Sequence, residues 1–263
     1  MSVWRYTFLL FALLSGSAYA QGIENTEGNC DWVWDKISSM QSEFPVDNCN
    51  MNFHGEDGTP LIFAIAKDNY PAAKKILERG GSANFQNRFG NSPMIWAILH
   101  GPVYVRLLAD NGWTPDSYAN FEGPLARSGF LPIEFGTHIP WLVVASFFHT
   151  GSIEILFQHG ASLNGMDTRK YLKVFSLLNA DEIGLIVRAG ADVNAFDREG
   201  DTLLHHVVLR YLSGERDLKK IAVLLRSGAN RYQKDFSGRN VVEWATLSKD
   251  RALFDCLQYM KCI

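Results

Sequence analysis

The chain has little of what marks several large classes of protein. Its 25 Lys and Arg stand against 28 Asp and Glu, a formal charge of −3. No basic cluster interrupts that balance, so the positive footprint of nucleic-acid binding is missing. The apolar run from Tyr6 to Leu14 is too short to cross a bilayer, which takes ~20 residues. There is no metalloprotease helix signature, no phosphate loop and no Gly-x-Ser-x-Gly elbow. His205 and His206 are adjacent and therefore face different sides of a helix, which is poor geometry for a metal. His100, His138, His149 and His159 are scattered without matching carboxylates. Nothing calls for a metal, a cofactor or catalysis. Cysteine is scarce too: Cys30, Cys49, Cys256 and Cys262 are the 4 in 263 residues, all near the two ends.

Residues 1–20 read as a cleaved secretory signal. Arg5 supplies the positive start, Tyr6 to Leu14 the apolar core, and Ala18-Tyr19-Ala20 the small-x-small cleavage site. No cysteine follows the apolar run directly, which argues against a lipid anchor. The expectation is an exported chain, periplasmic or secreted, with no membrane span after cleavage and with cysteines free to oxidise.

The rest is organised around a recurring unit, clearest from Gly190-Ala191-Asp192-Val193-Asn194 to Asp197-Arg198-Glu199-Gly200-Asp201-Thr202-Leu203-Leu204-His205. Gly190 stands where a helix stops, because glycine enters the left-handed conformation without steric cost. Asp197 bonds its own turn, Gly200 gives a second permissive position, and Thr202 opens the next helix. Related stretches run from Asn84 to Met94 and from Tyr232 to Gly238. A third, Asp57-Gly58-Thr59-Pro60-Leu61, carries proline at the first helical turn, where its missing N–H costs nothing. The helix-ending glycines are Gly80, Gly112, Gly160, Gly190 and Gly228, spaced 32, 48, 30 and 38 residues apart.

This pattern resembles the ankyrin-repeat family, whose mark is Thr-Pro-Leu-His-x-Ala followed later by Leu-Leu-x-x-Gly-Ala-Asp-x-Asn at a period of about 33. The resemblance implies an all-α fold: a solenoid of about six helix-turn-helix repeats joined by short hairpins, with disulfide-stapled caps. Residues 21–53 form an N-terminal cap and 54–263 the repeat array, ending in a capping repeat from about 235. Leu61, Ala64, Ile65, Ala72, Ile76 and Leu77 supply the packing face of the first repeat. Residues Tyr211 to Asp217 lengthen the link within the fifth. Stacked repeats hold the chain ends several tens of ångströms apart when helices lie about 8–10 Å from one another. Pairing is therefore local, Cys30 with Cys49 and Cys256 with Cys262, and the last helix must end between the second pair. In the family's pattern His205 makes a structural hydrogen bond to the neighbouring turn.

An aromatic-rich insertion, about 113–136, departs from the family. Trp113, Tyr118, Phe121, Phe130 and Phe135 either fold back as packing or form a contact surface, since insertions in such arrays emerge on one face. Ankyrin arrays bind proteins through hairpin tips and the concave face of their first helices. The resemblance therefore implies partner contacts at Gln86, Arg88 and Phe89, at Phe196, Arg198 and Glu199, and at Lys234 and Phe236. Fold and export signal together are similar to the exported ankyrin-type immunity proteins that accompany bacterial toxins, including lipases delivered by type VI secretion. The expected partner is thus another protein. A periplasmic scaffold for a resident enzyme and a secreted factor acting on host proteins are the competing readings.

Overall fold

The computed structural model describes residues 32–40, 49–52, 58–87, 90–115, 118–120, 138–148 and 151–262. Residues 1–20, read above as a signal segment, and Cys30, Arg88, Phe89, Phe121, Phe130 and Phe135 lie outside these residues.

The chain divides into two units, Met1–His159 and Gly160–Ile263. The first holds α1 (Trp32–Ser38), α2 (Pro60–Ala66), α3 (Tyr70–Glu78), α4 (Pro93–His100), α5 (Pro102–Ala109), α6 (Trp141–Phe148) and α7 (Ile153–Gln158). Between α5 and α6 lie two short strands, β1 (Ala119–Asn120) and β2 (His138–Ile139), paired antiparallel with Ala119 opposite Ile139. Consecutive helices pack as pairs, α2 on α3, α4 on α5 and α6 on α7, while α2, α4 and α6 stack in series. The second unit holds α8 (Leu172–Phe175), α9 (Ala180–Arg188), α10 (Leu203–Arg210), α11 (Leu218–Arg226), α12 (Val241–Ser248) and α13 (Arg251–Tyr259). Here α8, α10 and α12 stack in series, and so do α9, α11 and α13.

Eight of these helices start where a short polar side chain precedes an apolar run. Thr59, Ser92, Thr202 and Asn240 cap first helices of their pairs, each accepting from a backbone N–H two or three residues on. Asn69, Asn179, Asp217 and Asp250 do the same for second helices. Such a cap satisfies one of the orphan donors at a helix start and contributes about 1 kcal/mol. The apolar faces that follow are fully buried at Leu61, Ala64, Ile65, Ala72 and Ile76. Each large side chain so removed from water contributes about 1.5–3 kcal/mol.

Helix ends repeat one device. Gly81, Trp113, Ala191 and Ala229 donate backbone N–H to the carbonyls of Ile76, Leu108, Ile186 and Leu224, at 2.9 to 3.1 Å. Each follows a glycine in the left-handed region (Gly80, Gly112, Gly190, Gly228), which completes the six-to-one closure. At Gly190 the requirement is also steric: a Cβ there would stand 2.8 Å from the backbone N of Asn164.

Asparagines then tie one repeat to the next. The Asn52 amide donates to Gly80 O at 2.9 Å and accepts from Ser82 N at 2.6 Å. Asn84 does the same with Gly112 O and Thr114 N, at 2.7 and 2.8 Å. Asn194 does so with Gly228 O and Asn230 N, at 3.1 and 2.7 Å. One side chain satisfies both a helix-ending carbonyl and the amide two residues beyond it. At the C-terminal end Cys256 and Cys262 form a disulfide. Helix α13 stops at Tyr259, and Met260 in the left-handed region turns the chain back, as pairing across six residues requires. Cys49 is disulfide-bonded as well.

Candidate functional site

Phe196, Arg198, Glu199, Lys234 and Phe236 sit on hairpins whose shape follows from their own side chains. In the hairpin of residues 195–201, Asp197 N donates to Asp201 O, and Phe196 bridges to Thr202 across the turn. Asp197 Oδ1 accepts from the backbone N–H of Glu199 and of Asp201, both at 3.0 Å, and Oδ2 lies 2.7 Å from His206 Nε2. Burial raises the Asp197 pKa, but the His206 hydrogen bond and the backbone N–H groups outweigh it and hold the carboxyl below its ordinary value. The next hairpin repeats the plan. Asp235 Oδ1 accepts from Ser237 Oγ at 2.6 Å and from Arg239 N at 2.9 Å. The two hairpins abut: Phe236 N donates to Glu199 O at 3.2 Å, and the Phe196 and Phe236 rings meet edge to face at 6.1 Å. Gly200 permits this approach, because a Cβ there would stand 2.7 Å from Phe236 N.

The outcome is a pair of adjoining tips that keep aromatic surface in water. Phe236 is 71% exposed and Phe196 42%. Arg198, Glu199 and Lys234 are exposed beside them. Glu199 reaches Lys173 at 3.6 Å. Five of the expected contact residues are therefore brought together in the second unit. Gln86 is half-buried on a hairpin of the first unit, and its Nε2 has no hydrogen-bond partner.

Of the insertion aromatics, Tyr118 is exposed beside β1, its ring 6.4 Å from that of His138. Trp113 is only 5% exposed, edge to face with Trp141 at 6.3 Å. It is packing, not contact surface. The reason lies in register: Trp113 occupies the residue after the helix-ending glycine, where Gly81, Ala191 and Ala229 also turn inward. That alignment was readable in the sequence.

Leucines on the first helices are exposed, which their residue type did not mark. Leu209 and Leu247 occupy equal positions, seven residues after the caps Thr202 and Asn240, and are 41% and 68% exposed. Leu177, after α8, is also exposed. Counting from the caps would have found the first two.

The histidine pair does not act as a unit. His205 Nδ1 accepts from Thr202 N at 3.2 Å and lies 2.9 Å from Thr202 Oγ1, so the imidazole completes its own helix cap. Nε2 faces the Arg239 backbone of the neighbouring turn, the side from which the expected bond comes, without reaching full hydrogen-bond geometry. Asp197, Asp201 and His206 are, among the described residues, the group whose ligand atoms approach metal-site spacing, within 4.8 Å. Both Asp197 oxygens are already engaged, so the cluster clasps the hairpin. In the first unit a groove of about 380 Å³ is lined by Tyr70, Val103, Arg106, Asp110, Asn111 and Ile155. It gathers no nucleophile and base. Among the described residues no helix is long and apolar enough to cross a membrane.

No family model matches the chain. The ankyrin repeat protein OPG189 of Variola virus is 29% identical over 70 residues, which cover 26% of this chain and 12% of that protein. Its Vaccinia virus counterpart, strain Western Reserve, is 27% identical over 66 residues, 25% of this chain and 11% of that protein. The crystal structure of the human ASB11 ankyrin repeat domain superimposes with a TM-score of 0.56 and 17% identity, over 86% of this chain and 96% of that one. The fold is that of an ankyrin-repeat domain. The curated relatives it matches are far longer than the stretch they share with it.

Proposed function

We propose that this chain is a protein-binding module that works by occupying a surface of its partner, with no turnover. The carrying observation is the locked pair of hairpin tips, Phe196 with Arg198 and Lys234 with Phe236. Aromatic surface held in water by a backbone bond and a side-chain clasp is preorganised for contact, and aromatic residues and arginine dominate interface energetics. The ankyrin fold supports this reading, since its repeats present such tips side by side.

The finer reading is an exported, periplasmic immunity protein that covers the active site of a secreted toxin such as a lipase effector. It rests on the signal-like residues 1–20 and on the resemblance in fold. The test is survival of the producing bacterium against toxin-secreting kin, with and without the gene. A drop in survival restored by the wild-type chain, and not by a Phe236→Ala/Arg198→Glu variant, supports immunity. Unchanged survival overturns it and favours a scaffold for a resident enzyme, which would co-purify with the chain in stoichiometric amount.

A further inference from the structure

We propose that the partner of the second unit's hairpin tips is an acidic polypeptide segment that sets an apolar side chain among carboxylates. The inference rests on the protein-binding reading above and deepens it. It follows from how the hairpins use their own charges. Asp197 and Asp235 turn inward onto backbone N–H groups, and Asp197 also meets His206. Asp192 accepts from Asn194 N at 2.9 Å. Half-buried Asp201 gathers against the same Asp197 and His206 cluster. Glu199 is matched by Lys173, and Glu243 by the Asn240 backbone N–H at 2.9 Å. Apart from Asp201, which is half-buried beside Asp197, the carboxylates of these two tips are thus engaged within the fold.

The cations are not. Arg198 and Lys234 are exposed, and among the described residues neither has an ion-pair or hydrogen-bond partner. The turn chemistry that shapes each hairpin consumes most of its acids and leaves Arg198 and Lys234 outward on the hairpins that carry Phe196 and Phe236, while Arg239 donates to Ser237 Oγ. The surrounding charge agrees: Gly160–Ile263 carries 16 Lys and Arg against 13 Asp and Glu, although the whole chain is at −3. A partner loses least on docking if its carboxylates replace the water around Arg198 and Lys234 while an apolar side chain covers the rings. Two free cations and two rings are too small a footprint for a nucleic-acid backbone, whose binding needs a basic stripe.

The test pans the full-length chain against a random heptapeptide display library and measures synthetic copies of the winners by fluorescence anisotropy. The expected winners carry two or more Asp or Glu around a Leu, Phe or Trp. Their affinity should fall about tenfold in Arg198→Glu/Lys234→Glu, fall similarly in Phe236→Ala, and weaken as salt rises. Arg198→Lys should retain it. Equal melting temperatures keep folding out of the comparison. Winners without acid, still sensitive to Phe236→Ala, overturn the charge assignment and leave the tips as a binding surface. Winners insensitive to every tip variant, or no winners, overturn both. Labelled single-stranded DNA that binds as well as the peptides, with the same Arg198 and Lys234 dependence, overturns the choice of a polypeptide.

Discussion

Asn194 does at the scale of one side chain what the repeat needs most, bonding a carbonyl and an amide of the following repeat at once. Replacing it with alanine hands both groups to water, since Gly228 and Asn230 are exposed. Asn194→Ala should lower the unfolding free energy by about 1 kcal/mol in a urea titration, the net contribution of an exposed intramolecular hydrogen bond being about 0.5–1.5 kcal/mol. His205 gives a pH-dependent counterpart. Burial is the largest influence on it and lowers its pKa from 6.5, with Asp201 and Asp235 opposing. A folded-state pKa below the unfolded value means stability is full above pH 6.5 and is lost as pH falls below it. Thermal melts should drop from about pH 7 to about pH 5, and less steeply in His205→Gln, which keeps a cap-compatible side chain. Equal slopes would remove His205 from the account. Trp113 shows what the sequence held and concealed. Residue type alone leaves a tryptophan beside prolines open between packing and a contact loop, whereas register places it in the core against Trp141. Trp113→Ala should therefore cost about 3–5 kcal/mol. A variant as stable as wild type would return Trp113 to the surface.

Elements were legible where helix caps and glycine stops are explicit. Thr59, Thr202, Gly80, Gly190 and Gly228 mark boundaries because the backbone has few other ways to satisfy its end groups. The link from Tyr211 to Asp217 was not legible beyond its length. In the structure it forms a π turn over Tyr211–Glu215 and leaves through Arg216 in the left-handed region. Its purpose is electrostatic: Glu215 pairs with Lys220, which is only 4% exposed on α11, and also with Arg210. Arg216 of the same link pairs with Asp250, the cap of α13. No periodicity reports such pairings, because they depend on which loop residue returns to which helix. Removing one partner of a buried ion pair costs about 3–5 kcal/mol, whereas an apolar replacement of both is often neutral. Glu215→Ala should approach the lower end of that range, since Glu215 is partly exposed, and Glu215→Leu/Lys220→Met should recover most of the loss in the same titration. A harmless Glu215→Ala would mean the π turn holds without its charge.

For the molecule as a whole, repetition carried the fold from sequence to structure. Glycines spaced 32 and 30 residues apart declared helix pairs, and the helix pairs are there. The division between His159 and Gly160 leaves no mark in that spacing. Nor does the partner, since the same hairpin chemistry shapes every tip and only the residues left pointing outward differ. The account stands on those outward residues. Its most direct test is site-specific photo-crosslinking in the cells that make the protein, with a benzophenone side chain at Phe236 or Arg198 and, as control, at exposed Asp181 on α9. The account predicts one discrete crosslinked protein species from Phe236 and Arg198 and none from Asp181. No species from the tips, or the same species from all three positions, would contradict it.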